Sequence, residues 1–183
     1  MIIGNGMLAK AFPEYHDHPN IVIYAAGVSD PQETRIEEFS REKVLILTTL
    51  ELYPDAKFVY FGTTTHRYTL YRKHKQEMEE IIQSKAKEWI IFKLGPVVSD
   101  KYNGKTFYDY VYNKILSGEE FLLWKGQTRP LVQLTDVQLL VRQYLLLPVK
   151  NVMISLTGRE IPVETIVQSI EQLLQKKAKY TIG

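Results

Sequence analysis

The chain contains no cysteine, which excludes disulfide bridges, thiolate nucleophiles and cysteine-ligated metals. No apolar run approaches the roughly 18 residues that a membrane span requires, so no membrane partner is expected. The N-terminus carries no signal-peptide pattern, and a reducing cytoplasm is the expected compartment. An excess of one charge is also missing. The 23 Lys and Arg against 21 Asp and Glu leave a formal +2, and the basic residues are scattered, so there is no electrostatic footprint for nucleic acid. The one basic cluster, Lys176-Lys177-Ala178-Lys179, ends a helical pattern, where lysines serve the helix dipole and solubility. Repeats, low-complexity tracts and Pro/Gly-rich linkers are absent too. The 183 residues therefore read as one domain, 1–183, large enough to bury about 70% of its unfolded surface.

What the sequence does contain is an alternation. Short β-rich apolar runs occur at Met1-Ile2-Ile3, Ile21 to Ala26, Phe58 to Phe61, Trp89 to Leu94 and Val152 to Leu156. Runs that are apolar on both faces, separated by helical patterns, predict a parallel sheet covered on both sides. A helical stripe runs through Val163, Ile166, Val167, Ile170, Leu173 and Leu174. Thr135-Asp136-Val137-Gln138 reads as a capping box opening a helix through about Leu147. Phe107, Tyr110, Val111 and Ile115 mark another helix, with Gly118 as its stop. The fold class is α/β: a doubly wound, parallel, Rossmann-like sheet. Residues 1–98 would form the Rossmann-like core, and 99–183 mainly a small further lobe with the C-terminal helices.

Two motifs carry chemistry. Met1-Ile2-Ile3 runs into Gly4-Asn5-Gly6-Met7-Leu8-Ala9, which fits G-x-G-x-x-A. Gly4 would allow the tight turn, Gly6 would admit a pyrophosphate to the backbone, and Ala9 would allow close helix–strand packing. The competing reading is a glycine-rich turn without a ligand. The acidic residue that binds an adenosine ribose about 20 positions on has no good match. Only Lys10 to Asn20 precede the next strand, leaving no room for a further strand, its helix and a third strand, and Asp17 is a weak candidate. The second motif is Tyr71-x-x-x-Lys75, after the strand Lys57 to Phe61 and the hydroxyl run Thr63-Thr64-Thr65. On a helix from Tyr71 to Ile82 both side chains share one face. An ammonium there would favour the phenolate and lower the phenol's pKa.

Together these segments resemble the extended short-chain dehydrogenase/reductase family, in its NAD-dependent epimerase/dehydratase and nucleotide-sugar reductase branch, as a truncated member reduced in strand number. The resemblance implies a cofactor turn at Gly4, Gly6, Met7 and Leu8. It implies backbone along the cofactor at Ala25, Ala26 and Gly27, and a Pro-containing turn beside the nicotinamide at Pro96. Thr63, Tyr71 and Lys75 would be the catalytic residues, with Lys75 also on the nicotinamide ribose. Arg129 would contact the nucleotide-sugar phosphates, whereas Asp136 is more readily a helix cap. Thr64 and Asn103 are further substrate candidates, with Lys105 in the same stretch. The implied cofactor is NAD or NADP, the substrate a nucleotide-linked sugar of surface-polysaccharide biosynthesis, and the assembly a homodimer.

The chain departs from this pattern in one further place. The interval from Thr63 to Tyr71 is eight residues, shorter than is usual in the family, and the shortening would remove part of the loop beside the pocket. Thr64 or Thr65 is then an alternative to Thr63. A second reading follows, in which the chain is a catalytically degenerate member serving as a nucleotide-binding or scaffolding subunit. No metal site is expected: nothing supplies a third ligand beside His66 and His74, and His74, between Lys73 and Lys75, reads as part of a solvated helix face. Tyr102, Tyr108, Tyr110 and Tyr112 would either stack on a sugar or pack a small lobe.

Overall fold

A computed structural model of the protein describes residues 1–99 and 106–183. In chain order the elements are β1 (Ile2–Ile3), α1 (Met7–Lys10), a 3-10 turn (Pro13–Tyr15), β2 (Ile21–Tyr24), α2 (Ile36–Leu52), β3 (Lys57–Thr63), α3 (Leu70–Lys85), β4 (Glu88–Leu94), β5 (Val97–Val98), α4 (Phe107–Ser117), β6 (Glu120–Leu123), β7 (Thr128–Gln133), α5 (Leu134–Leu146), β8 (Val152–Leu156), β9 (Arg159–Pro162), α6 (Val163–Leu174) and β10 (Lys179–Ile182). They form two compact units, Met1–Gly95 with Leu134–Leu156, and Pro96–Gln133 with Thr157–Gly183.

The first unit is a five-stranded sheet in the order β1-β2-β3-β4-β8, parallel throughout. Every one of the five apolar runs in the sequence is a strand of it. Strand alternation divides the side chains between two layers. Val22, Tyr24, Phe58 and Tyr60 pack with Ile46 and Leu50 of α2 and Met78 and Ile82 of α3. On the other face, Phe61 stacks on Phe12 and meets Phe92, which takes the edge of Tyr144 from α5. Each fully buried ring of this kind contributes about 1.5–3 kcal/mol of burial. Helices on both faces of a parallel sheet make the unit doubly wound.

Register fixes which ends meet. Ile3 pairs with Tyr24, Tyr24 with Tyr60, and Tyr60 with Ile91, so the segments that leave β1, β2 and β3 emerge at one edge, the carboxyl edge of the sheet. Only α1 and the 3-10 turn lie between β1 and β2, so the strands missing from the sequence pattern are missing from the fold. Helix α3 opens at Thr69, whose side chain accepts from the Arg72 N–H, an N-cap that satisfies one orphan donor.

The second unit holds a three-stranded sheet, β5-β7-β9, and a parallel pair, β6 and β10. Its core joins Val111 and Ile115 of α4 to Phe121, Leu123, and Val163, Ile166, Val167 and Ile170 of α6, the last four from the stripe read in the sequence. Gly118 closes α4 in the left-handed region, φ 73°, as expected of a C-cap glycine. The sequence reading of a capping box at Thr135 is corrected. Helix α5 begins at Leu134, directly after β7, so Thr135 and Asp136 lie inside its first turn. Helix α5 belongs to the first unit; in the second, Thr106 forms a capping box with Asp109 at the start of α4.

Gly4 shows how the β1–α1 turn is fixed. Its φ is +128°, and a Cβ there would lie 2.5 Å from the Ala25 carbonyl oxygen, so any side chain meets both backbone strain and a backbone clash. Gly4→Ala should lower stability by about 1–3 kcal/mol in chemical denaturation. Gly6→Ala, with nothing within 4 Å of its Cβ position, should cost well under half of that.

Candidate active site

Glu42, His74 and Lys75 are charged or titratable residues on apolar stripes. In α2 the buried positions are Glu42, Ile46, Thr49 and Leu50, and in α3 they are Tyr71, His74, Lys75, Met78, Glu79 and Ile82. Both sets follow helical spacing. The two stripes face one another, and the charges meet where they do.

Glu42 has no exposed surface and four groups converge on its carboxylate. Oε1 accepts from the Tyr60 hydroxyl at 2.7 Å and from Lys75 Nζ at 3.0 Å. Oε2 accepts from the Val28 N–H at 2.6 Å and lies 3.0 Å from His74 Nε2. An ionised carboxylate only accepts, so Nε2 carries the proton in this contact. Lys75 also donates to the Tyr60 hydroxyl at 3.1 Å, and His74 lies against Phe39 with ring centres 4.7 Å apart. Burial alone would raise the Glu42 pKa, but the Lys75 charge and the hydrogen bonds from His74, Val28 and Tyr60 hold it down to about 2. Burial pulls the Lys75 pKa below its usual value, and the Glu42 charge opposes this.

Tyr71 lies one turn before Lys75 and is itself buried. The Lys75 Nζ is 5.8 Å from its ring centre, and Thr63 is the last residue of β3. The Tyr71 pKa is pushed up to about 12, first by burial and next by the charge of Glu42, against the opposing effect of the Thr63 side chain. The expectation that the ammonium would lower this pKa is therefore overturned: burial dominates, and the charge of Lys75 is paired with Glu42. A second correction concerns His74, which is only 6% exposed and belongs to the Glu42 cluster rather than to a solvated face. One turn beyond Lys75, Glu79 pairs with Lys93 at 3.2 Å through Oε2. Its Oε1 is buried without a hydrogen-bond partner, directly over Gly62, and burial raises its pKa.

The other sequence candidates fall into three groups. Gly4, Gly6, Met7, Leu8, Ala25, Ala26, Gly27, Thr63 and Thr64 all belong to the first unit, at the carboxyl edge where β1, β2 and β3 end. Gly27 has a further constraint, since a Cβ on it would lie 2.6 Å from both Glu42 Oε1 and Lys75 Nζ. Pro96 and Arg129 belong to the second unit, where the Arg129 guanidinium bonds the Thr128 carbonyl and Gln127 and sits 5.3 Å from the Phe107 ring centre. Asn103, Lys105 and Tyr102 lie outside the described residues. Tyr110 is exposed on the second unit, its ring tilted against Phe107 and edge-on to Phe121. Asp17 is exposed and bonds His16. Glu42, Tyr60 and the Val28 N–H were not anticipated. The signal for Glu42 was a lone charge in phase with Ile46, Thr49 and Leu50.

The fold is similar to the Rossmann-like α/β fold of NAD-dependent nucleotide-sugar epimerases and dehydratases. UDP-glucose 4-epimerase from Thermus thermophilus, solved in complex with NAD, matches with TM-score 0.67 at 15% identity over 95% of this chain and 67% of its own. UDP-glucuronic acid 4-epimerase from Bacillus cereus, in complex with UDP-glucuronic acid and NAD, matches with TM-score 0.72 at 13% identity, covering 97% of this chain and 65% of its own. A dTDP-glucose 4,6-dehydratase from Bacillus anthracis with NAD matches at 0.66, with 17% identity over 90% and 61%. This chain thus spans about two thirds of the length of such enzymes. No protein-family model and no curated protein sequence matches it.

Removing one partner of a buried ion pair typically costs about 3–5 kcal/mol, and Glu42→Leu and Lys75→Met should each fall in that range by urea denaturation. The double variant should cost clearly less than the sum of the two; additive costs would mean that the pair is not coupled. Acid provides a second test. A folded-state pKa depressed to about 2 contributes stability that is complete above the unfolded value of about 4.3 and is lost as pH falls toward 2. The stability gap between wild type and Glu42→Gln should therefore shrink by about 3 kcal/mol over that interval.

Proposed function

We propose that the protein is an NAD(P)-dependent oxidoreductase or epimerase acting on a nucleotide-linked sugar, in the assembly of a surface polysaccharide. The observation that carries this reading is the placement of Lys75 Nζ 5.8 Å from the buried Tyr71 ring, with Thr63 ending β3 at the carboxyl edge of a parallel sheet. Ligands of open α/β sheets bind at that edge. The three structural neighbours, each solved with NAD, agree with it.

The residues at the turn fit a dinucleotide. Gly6 offers open space where a side chain would stand, so its backbone is accessible to a phosphate, with Met7 and Leu8 beginning α1. The loop Ala25-Ala26-Gly27 flanks Gly4 and Lys75 and would line the cofactor. The bound nicotinamide would supply hydride chemistry. Tyr71 would pass a proton between its hydroxyl and the substrate oxygen. Thr63, the last residue of β3, would orient the same oxygen, and Thr64 follows it. Lys75 would hold the nicotinamide ribose. The family resemblance alone proposes Arg129 for a phosphate contact, Pro96 for the nicotinamide and Asn103 for the substrate. A homodimer in the cytoplasm is the proposed setting.

A second reading, a nucleotide-binding or scaffolding subunit without turnover, is favoured by the commitment of Lys75 to Glu42 and Tyr60 and by the missing strands. Thermal shift with NADH and NADPH separates the readings. One of the two should raise the melting temperature, a hundredfold excess over Kd contributing about 2.7 kcal/mol; no shift with either at millimolar concentration would remove both. Given binding, Tyr71→Phe should keep the shift and lose turnover by about a hundredfold or more. Binding with no wild-type turnover on any nucleotide sugar selects the scaffold.

A further inference from the structure

Tyr71 and Lys75 are only part of a larger buried arrangement, and the residue at its centre lies on a different helix. Glu42 is bonded from three directions: Lys75 and His74 on α3, Tyr60 on β3, and the Val28 N–H in the loop after β2. Tyr24 on β2 adds a bond from its hydroxyl to the Glu42 carbonyl at 3.3 Å. Gly27 packs so closely that a single carbon on it would overlap both Glu42 Oε1 and Lys75 Nζ. The carboxylate therefore fixes three things at once: the place of the ammonium, the course of the loop beside it, and the net charge behind Tyr71.

We infer that Glu42 is the positioning residue of the Tyr71/Lys75 pair, and that by neutralising Lys75 it keeps Tyr71 a protonated phenol, so that the resting site gives a proton to a substrate carbonyl oxygen rather than taking one from a hydroxyl. This rests on the functional reading above for the role of Tyr71. In that step the phenolic O–H bond breaks and an O–H bond forms on the substrate oxygen. The carbonyl carbon gains a hydride, and its donor, a reduced nicotinamide dinucleotide, is oxidised. The one cation beside the ring among the described residues, Lys75, is paired with Glu42, while Glu42, Asp30 and Glu79 disfavour the phenolate against the Thr63 side chain. Glu79, for its part, is drawn toward Lys93.

The direct test needs neither cofactor nor substrate. The alkaline ultraviolet difference spectrum between wild type and Tyr71→Phe isolates one phenolate from the other tyrosines. In the wild type, Tyr71 should ionise above the ordinary tyrosine value of about 10. A midpoint at or below that value overturns the inference, and this measurement requires no Glu42 variant to fold. Glu42→Gln, compared with Glu42→Gln/Tyr71→Phe, should bring the midpoint down by about one pH unit or more. Tyr60→Phe removes a hydroxyl but no charge and should leave the midpoint in place. A folded Glu42→Gln with an unmoved midpoint overturns the inference, as does a Tyr60→Phe shift of the same size. In turnover, Glu42→Gln should move the kcat profile of alcohol oxidation to lower pH while KM for the nucleotide sugar stays within about twofold; an unmoved profile overturns it. Failure of the cofactor to bind would sink the functional reading and leave the phenol titration unchanged, so the two failures are distinguishable.

Discussion

A carboxylate with no exposed surface must find its whole solvation shell inside the protein, because an unpaired buried charge is among the costliest defects a fold can carry. Glu42 finds four partners on three neighbouring segments. That requirement ties together parts of the chain that the sheet alone would leave independent. Helix α2 cannot rotate about its axis without breaking contact with α3 and β3. The loop after β2 cannot lift without losing the Val28 bond. Gly27 cannot be larger without displacing the pair. The backbone geometry of the carboxyl edge, where β1, β2 and β3 end, is thus set in large part by one side chain.

The same constraint explains what was legible in the sequence. The central strands β2, β3 and β4 were readable because a strand buried on both faces must be apolar throughout, and Val22-Ile23-Tyr24 or Ile90-Ile91-Phe92 cannot be much else. Helix α6 was readable because its stripe is unbroken. Buried polar residues break the pattern on which such reading depends. His74 looks like a surface residue by type, and it was read as solvated although it shares a buried face with Tyr71, Lys75, Met78 and Ile82. Glu42 was missed for the same reason. The Thr106–Asp109 capping box went unread because its third residue is Asp rather than the usual Glu or Gln. The Tyr71/Lys75 spacing was visible locally, whereas its electrostatic meaning required a partner 33 residues away in sequence from Lys75.

The truncated half of the fold follows a different logic. In place of two strands and their helices, β1 and β2 are joined by a four-residue helix and a 3-10 turn. That connection is held by its own contacts. Met1 donates its terminal amine to the carbonyls of His18 and Ile21. Phe12 is fully buried against Phe61. Arg142 and Gln138 of α5 reach the Ala11 carbonyl, and Arg142 pairs with Glu14. The short link is therefore a packed part of the first unit. What it lacks is an acidic residue at a strand end, the feature that in a full dinucleotide fold selects between a ribose hydroxyl and a phosphate. Any cofactor selectivity has to come from elsewhere in the chain.

The commitment of Lys75 to Glu42 need not conflict with a role at a ligand. An ammonium has three N–H bonds; Glu42 and Tyr60 take two, which leaves one donor. A lysine already fixed by two bonds has surrendered the rotamer freedom that a long flexible side chain would otherwise lose on binding, a cost of about 0.5–1.5 kcal/mol. Preorganisation of this kind exchanges electrostatic reach for geometric certainty: the ammonium is placed, but its charge is shared with a carboxylate. For a site that has to stabilise a phenolate this exchange is unfavourable. For a site that has to keep a phenol protonated next to a bound carbonyl it is favourable, and the charges around Tyr71 are arranged for that second task.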